Sequence, residues 1–173
     1  MNKLNKVITG VTFGTLFASQ VFAGSLGATS TDTSVVSLEV VDRVQITNVD
    51  NIGLGAYSGT GDLSGATEYC VHRNGGDDYT IKLSTNTGSF KVSSATTSED
   101  IDFTVKVDAD ADASDGDAVT YNVASAAMAG SGQTNCGGAD NGAIEVKFVQ
   151  ADLLAVSSGS DYTATMTILV EPI

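Results

Sequence analysis

The chain has 173 residues, with 21 acidic and only eight basic side chains, which gives a formal net charge of −13 at pH 7. Proteins that bind nucleic acid or an anionic membrane surface need clustered Lys and Arg residues, so this charge argues against both classes of partner. The length suffices for one domain with a substantial apolar core, but not for two.

The first 23 residues have the layout of a secretory signal peptide. Lys3 and Lys6 precede an apolar run, and Val21 and Ala23 suit the cleavage site. We therefore predict a signal peptide at residues 1–23, and export. A membrane anchor is the alternative, but the run is shorter and more polar than the roughly 20 apolar residues of a membrane span. Cleavage would leave a mature charge of −15, because the leader contains two basic residues and no acidic one.

Residues 34–49, SVVSLEVVDRVQITNV, contain two successive segments in which apolar and polar residues alternate. The first segment places Val36, Leu38 and Val40 on one face and Val35 on the other. Period-two alternation predicts half-buried strands. The sequence therefore predicts a strand-like arm before the first strand of the domain.

The remainder of the chain predicts one all-β domain. Eight further segments alternate in the same way, namely residues 51–59, 67–73, 78–84, 89–93, 100–107, 118–123, 143–149 and 162–170. Clusters of Gly, Asn, Asp and Ser separate them, a pattern typical of an antiparallel β-sandwich or barrel. Residues 123–130 are the one candidate for a helical turn. We divide the exported chain into an arm, residues 24–41, and a domain, residues 42–173.

The last alternating segment is expected to lie at an edge of its sheet. It directs five side chains inward, namely Tyr162, Ala164, Met166, Ile168 and Val170. No further strand is predicted after it. Such an edge would leave unpaired backbone groups and apolar side chains beside a groove, and it must be covered to prevent aggregation.

Cys70 and Cys136 are the two cysteines of the chain, and in an exported protein they predict one disulfide. The alternative is that Cys70 and His72, which share one side of a strand, form a thiol catalyst or a metal-ligand pair. Zinc requires three or four ligands, and His72 is the single histidine of the sequence. The disulfide is therefore the preferred interpretation.

Asp108, Asp110 and Asp112 are weak candidates for a calcium site, because hard cations prefer clustered oxygen ligands. The tract does not match an EF-hand loop, since Ala113 stands where that loop has glycine and Val119 where it has glutamate. A solvated loop is the preferred interpretation. No nucleophile or zinc-protease motif is present either, so we expect neither enzymatic activity nor a cofactor.

The order of motifs resembles the subunits of bacterial chaperone–usher pili, in particular the archaic branch and the related spore coat protein U-like domains. The resemblance covers residues 30–172. Its most specific parts are ITNVDNIGLG, the stretch GDLSG followed by YCV at the first cysteine, and the second cysteine shortly before the penultimate strand. The DADADASDGD insertion departs from the family pattern and leaves a shaft or a tip position open.

The resemblance implies an immunoglobulin-like β-sandwich that lacks its final strand and is completed by a donor strand. A periplasmic chaperone would supply that strand first. An outer-membrane usher would then assemble the subunits, with the arm of the next subunit replacing the chaperone strand by β-strand addition. By this analogy Val36, Leu38 and Val40 would fill the groove of a neighbouring copy, and residues 162–170 would form the groove edge.

The resemblance thus implies a homopolymeric surface pilus, or fimbria, that serves cell adhesion and biofilm formation. Two alternatives remain open. The arm could fold back on its own domain as an ordinary hairpin, or the protein could be a monomeric secreted β-sandwich that binds calcium or a glycan.

Overall fold

A computed structural model describes residues 27–159 and 161–173. The predicted signal peptide and the first three residues of the arm lie outside the described residues. The chain divides into two compact units, Met1–Val40 and Val41–Ile173. In the described part of the first unit, residues 27–40 contain neither helix nor strand, so the strand predicted within the arm is not formed here. Within the described residues, no helix has the length and hydrophobicity needed to cross a bilayer.

Most of the regular secondary structure of the second unit consists of β-strands. Its elements are β1 (Val44–Thr47), β2 (Leu63–Arg73), β3 (Asp78–Thr85), β4 (Lys91–Ser94), β5 (Asp100–Asp102), β6 (Thr104–Asp108), β7 (Asp117–Ala118), β8 (Met128–Ala129), β9 (Gly142–Phe148), α1 (Gln150–Leu154), β10 (Tyr162–Thr163) and β11 (Met166–Pro172). Two short 3₁₀ turns occupy Asn74–Gly76 and Cys136–Gly138. The all-β fold class predicted from the sequence is confirmed.

The strands form three antiparallel sheets. Their strand orders are β1-β2-β9-β6-β7, β10-β4-β5 and β11-β3-β8. The ladder between β3 and β11 runs from Met166 opposite Thr85 to Pro172 opposite Tyr79. The ladder between β2 and β9 places Gly65 opposite Val146. These two ladders bring the middle of the chain against its final segments.

Side chains from all three sheets meet in one apolar cluster. Its fully buried members include Tyr69, Val71, Tyr79, Ile81, Leu83, Val105 and Ile144. They alternate with exposed or half-buried residues along β3 and β6, as the period-two pattern predicts, whereas on β2 the disulfide-bonded Cys70 between Tyr69 and Val71 is buried as well. Aromatic rings extend the cluster, with the centroids of Phe103 and Phe148 5.2 Å apart.

Two segments that alternate continuously in the sequence are each divided between two sheets. Residues 100–107 form β5, which pairs with β4, and β6, which pairs with β9, with Phe103 at the change. Residues 162–170 form β10, which pairs with β4, and the first part of β11, which pairs with β3. Alternation reports which face a side chain occupies and not which strand lies beside it, so the pattern runs through the change of partner.

Three local predictions are wrong. Residues 51–59 alternate but form no strand, and within residues 118–123 only Ala118 belongs to one. Residues 123–130 contain β8 and no helical turn, whereas the short helix α1 was not predicted. In 118–123 the chain leaves β6 and crosses toward β3, where Asn122 N–H donates to the Leu83 carbonyl at 2.8 Å.

The predicted disulfide joins Cys70 on β2 to Cys136 in the turn before β9, with their Cα atoms 5.9 Å apart. Both thiols are consumed, so the alternative of a reactive Cys70–His72 pair is excluded. His72 instead places its Nδ1 atom 2.8 Å from the Ser131 carbonyl oxygen. The bond anchors the loop before β9 to β2, the strand between β1 and β9 in the five-stranded sheet.

Candidate functional site

Two sheet edges face each other along a seam in the second unit. In the described part of the chain, β1 forms a ladder only with β2, and β11 only with β3. The two strands approach to within 8 Å between Cα atoms but share no ladder. Residues 49–57, which follow β1, also lack a ladder partner. A seam of this kind leaves backbone donors and acceptors free to pair with another strand.

An apolar groove follows this seam. It consists of two cavities of about 290 and 720 Å³, which share Ile52, Leu54, Val92, Phe148 and Ala164. One wall is the segment 49–57, and the other is the segment 162–168. We call the two cavities together the groove. The five shared residues are apolar, whereas polar residues such as Asp50, Thr67 and Ser157 lie elsewhere along the lining, so the shared part of the groove suits aliphatic side chains.

Gly65 on β2 explains how the segment 49–57 comes to lie against the sheet. A Cβ atom at this position would stand 2.6 Å from the Leu54 side chain and 3.0 Å from that of Ile52. Without it, both side chains rest on β2 and form one wall of the groove. The backbone N–H of Asp50 donates to Thr67 Oγ1 at 2.9 Å and fixes the start of the same wall.

The opposite wall is the segment from β10 to β11. Its five predicted inward side chains are all half-buried, namely Tyr162, Ala164, Met166, Ile168 and Val170. Between β10 and β11, Asn86 holds the backbone in place, since its side-chain oxygen accepts from Thr165 N–H at 2.8 Å and its own N–H donates to the Thr165 carbonyl at 3.0 Å. Ala164, Met166 and Ile168 line the smaller cavity.

Glu99 organises the loop at one end of the groove. Its Oε2 atom accepts hydrogen bonds from the Tyr162 hydroxyl at 2.9 Å and from Ser157 N–H at 3.0 Å. The hydrogen bond from Tyr162, followed by that from Ser157, holds the pKa of the Glu99 carboxyl below its usual range. These bonds tie the loop after α1 to the β4–β5 hairpin. Leu153 and Val156, which belong to this part of the chain, line the larger cavity.

The arm presents its apolar side chains to solvent. Val36 is 92% exposed, Leu38 88% and Val40 71%, and Val35 on the opposite face is 93% exposed. Exposed large aliphatic side chains in such a run are unusual in a monomeric soluble protein.

The acidic tract lies in the loop between β6 and β7. Asp108, Asp110 and Asp112 each accept a hydrogen bond from the backbone N–H two residues later, at 3.1, 2.8 and 3.0 Å. Their oxygens therefore shape consecutive turns of the loop. Across the described residues, no group of three or more acidic, histidine or cysteine side chains is arranged to hold a metal ion.

The sequence predicted the inward side chains of residues 162–170. It did not predict that residues 49–57 lie opposite them, or that Val92 and Phe148 line the groove between the two segments. The apolar character of Ile52 and Leu54 was visible, but their alternation indicated a strand and not a wall without a ladder. Val92 and Phe148 were assigned to strands without any indication that both line the groove. Glu99 carried no signal, because a single acidic residue in a turn is ordinarily solvated.

Comparison of the sequence with models of protein families, and with curated proteins, returns no match.

Proposed function

We propose that this protein is a structural subunit of a surface pilus, a fimbria of the chaperone–usher type. In this proposal the groove of an incomplete immunoglobulin-like sandwich accepts the arm of a second copy as a donor strand. The observation that carries the proposal is a groove between the free edge of β11 and the segment 49–57, which has no ladder partner, in a chain whose arm exposes three alternating aliphatic side chains.

The spacing of arm and groove supports this pairing. Val36, Leu38 and Val40 extend over four residue steps, about 13 Å in a strand. Ala164, Met166 and Ile168 on the groove wall cover the same number of steps. A strand laid along this wall would satisfy its unpaired backbone edge and place every second side chain in the groove, which is the geometry of β-strand addition.

The energies involved are large enough to hold subunits together. Burying a Val or Leu side chain contributes roughly 1.5–3 kcal/mol, so three of them contribute about 5–9 kcal/mol before ordering costs. The net stability of a whole domain is about 5–15 kcal/mol. A subunit with an empty groove would therefore be much less stable than one with a filled groove, which supports a requirement for a periplasmic chaperone before an outer-membrane usher assembles the fibre.

A head-to-tail arrangement follows from this pairing. The arm and the groove are different surfaces of one chain, so the contact between copies is heterologous and extends into an open fibre unless it closes into a ring. A homopolymeric fibre at the cell surface, with adhesion and biofilm formation as its use, is the function we propose.

The decisive experiment compares Leu38→Asp with Val35→Asp. Leu38 belongs to the proposed inserted face, so its replacement by a carboxylate would bury an unpaired charge and should abolish fibres. Val35 is equally exposed but lies on the opposite face, so Val35→Asp should retain at least half of the wild-type fibre yield. The measurement is the ladder of multimers that an unheated surface extract gives on an SDS gel.

A second measurement separates a neighbour's arm from the chain's own arm. The chain lacking residues 24–41 should form no fibre and should gain thermal stability when a synthetic peptide of residues 24–41 is added. Fibres from the arm-deleted chain would overturn the proposal. So would a wild-type protein that remains monomeric at every concentration, which is the outcome that self-insertion of the arm predicts.

A further inference from the structure

The root of the arm is held by two residues at the end of β2. Arg73 is only 6% exposed, although its side chain carries a positive charge. It lies on the same face of β2 as Tyr69 and Val71, which are core residues. A buried guanidinium needs acceptors for its donors, and these acceptors identify what Arg73 holds together.

Arg73 joins three separate parts of the chain. Its Nε and Nη2 atoms donate to the two carboxylate oxygens of Asp42, at 3.1 and 2.6 Å. Its Nη1 atom donates to the carbonyl oxygen of Ile173 at 2.5 Å and to that of Asp78. The two-pronged contact with Asp42 fixes the orientation of that residue as well as its distance.

Asn74 binds the residues on both sides of Asp42. Its side-chain nitrogen donates to the Val41 carbonyl oxygen at 3.1 Å, and its side-chain oxygen accepts from Arg43 N–H at 2.6 Å. The backbone N–H of Asn74 donates to the Arg43 carbonyl oxygen at 3.2 Å. The side chain thus pairs with residues 41–43 as a neighbouring strand would.

We infer that Arg73 and Asn74 form a clamp on residues 41–43 that leaves no flexible linker at the joint between successive subunits. The inference rests on the proposed function, because it concerns the joint that donor-strand exchange would create. Val40 is the last residue proposed to fill the groove of the neighbour, and Val41 is the first residue held by the clamp. One peptide unit, about 3.8 Å between Cα atoms, separates them. The joint is consequently short and stiff.

The clamp is tested first on the single chain. Asp42→Asn removes the charge that Arg73 binds, and Asn74→Ala removes both side-chain hydrogen bonds to the root. Trypsin should then cleave after Arg43 at least tenfold faster than in the wild type, with cleavage after Lys82 in β3 as the measure of global unfolding. Asp62→Asn is the matched control, because Asp62 is a similarly exposed partner of another ion pair, with Lys147. Unchanged cleavage after Arg43 in Asn74→Ala would overturn the clamp.

The joint is tested on assembled fibres by their persistence length in electron micrographs. Asn74→Ala, and four residues Gly-Ser-Gly-Ser inserted between Val40 and Val41, should each reduce the persistence length at least twofold. The same insertion after Thr29, outside the proposed inserted face, should leave it unchanged. Equal persistence lengths for all these fibres would contradict the inference that the clamp stiffens the joint. They would not contradict the proposed function.

If the wild-type chain forms no fibre, both the proposed function and the inferred joint between subunits are wrong. The trypsin experiment would then decide on the clamp alone.

Discussion

Two buried tyrosines show how a single hydroxyl group contributes to or subtracts from the stability of this core. Tyr69 and Tyr79 are both fully buried. The Tyr69 hydroxyl donates to the Asp108 carbonyl at 3.2 Å. The Tyr79 hydroxyl lies near enough to the Tyr69 hydroxyl for each to shift the pKa of the other, but among the described residues it makes no hydrogen bond of acceptable geometry. Burial raises the pKa of both phenols above their usual range, so both are neutral at any physiological pH.

Replacing each tyrosine by phenylalanine should therefore have opposite effects. Tyr69→Phe leaves the Asp108 carbonyl without its donor and should lower the free energy of unfolding by about 1 kcal/mol. Tyr79→Phe removes an unsatisfied polar atom and should leave that free energy unchanged or raise it by about 1 kcal/mol. Chemical denaturation of the two purified variants measures the difference. A larger loss for Tyr79→Phe than for Tyr69→Phe would contradict this account.

At the scale of elements, the alternation of the sequence predicted the buried faces of β2, β3, β6 and β9 but not the sheets to which strands belong. Arg73 occupies a position at which the alternation of β2 itself indicates a buried side chain. It shares the inward face with Tyr69 and Val71, so the same alternation required a buried cation with partners. Two of its partners, Asp42 and the carbonyl of Ile173, are distant in the sequence, and only the folded chain brings them to Arg73. Long-range pairing of this kind leaves no local pattern.

Only the part of the groove that depends on residues close together in the sequence could be predicted. The inward residues of the last segment follow from alternation, since Ala164 and Met166 lie two residues apart. The wall formed by Ile52 and Leu54 depends on the missing side chain of Gly65, which is separated from Leu54 by 11 residues. A glycine within a strand does not indicate from sequence which side chain will rest on it.

The loop tied to Glu99 should respond to acid. The folded-state pKa of Glu99 lies below the ordinary value of 4.5 for a glutamate, so its contribution to stability is complete above that value and is lost as the pH falls through the lowered pKa. The protection factor of the Ser157 amide, which is its exchange rate relative to the intrinsic rate at the same pH, should therefore fall as the pH drops through the lowered pKa, before the core opens. Tyr162→Phe removes the largest cause of the lowering and should raise the pKa of Glu99.

Proton NMR titration of Glu99 in the wild type and in Tyr162→Phe makes this measurement. Tyr57→Phe is the matched control, because the Tyr57 hydroxyl donates to the Gly61 carbonyl and not to Glu99. An equal pKa of Glu99 in all three proteins would show that the tyrosine hydroxyl does not hold this loop.

At the scale of the whole molecule, the disulfide restricts the unfolded chain more than any other single link in the described residues. It closes a loop with a sequence separation of 66 residues. In the chain-entropy model a loop of this length lowers the stability of the unfolded state by about 4 kcal/mol. The bond connects β2, which lies between β1 and β9 in the five-stranded sheet, to the turn that precedes β9.

Replacing both Cys70 and Cys136 by serine should lower the free energy of unfolding by about 4 kcal/mol. Under reducing conditions the wild-type protein should approach the same value, which serves as the internal control. Chemical denaturation with and without a thiol reductant is the measurement. A loss below about 1 kcal/mol would mean that the unfolded chain is already restricted by residual structure.

The two places where the chain changes sheets have a consequence for how this protein can vary. Phe103 marks one change and Ala164 and Thr165 the other, and all three line the smaller cavity of the groove. A single inserted residue at either place would exchange the inner and outer faces of everything that follows up to the next turn. Insertions of two residues would preserve the faces. Related chains should therefore tolerate length changes in the acidic loop freely, and at these two crossings only in steps of two.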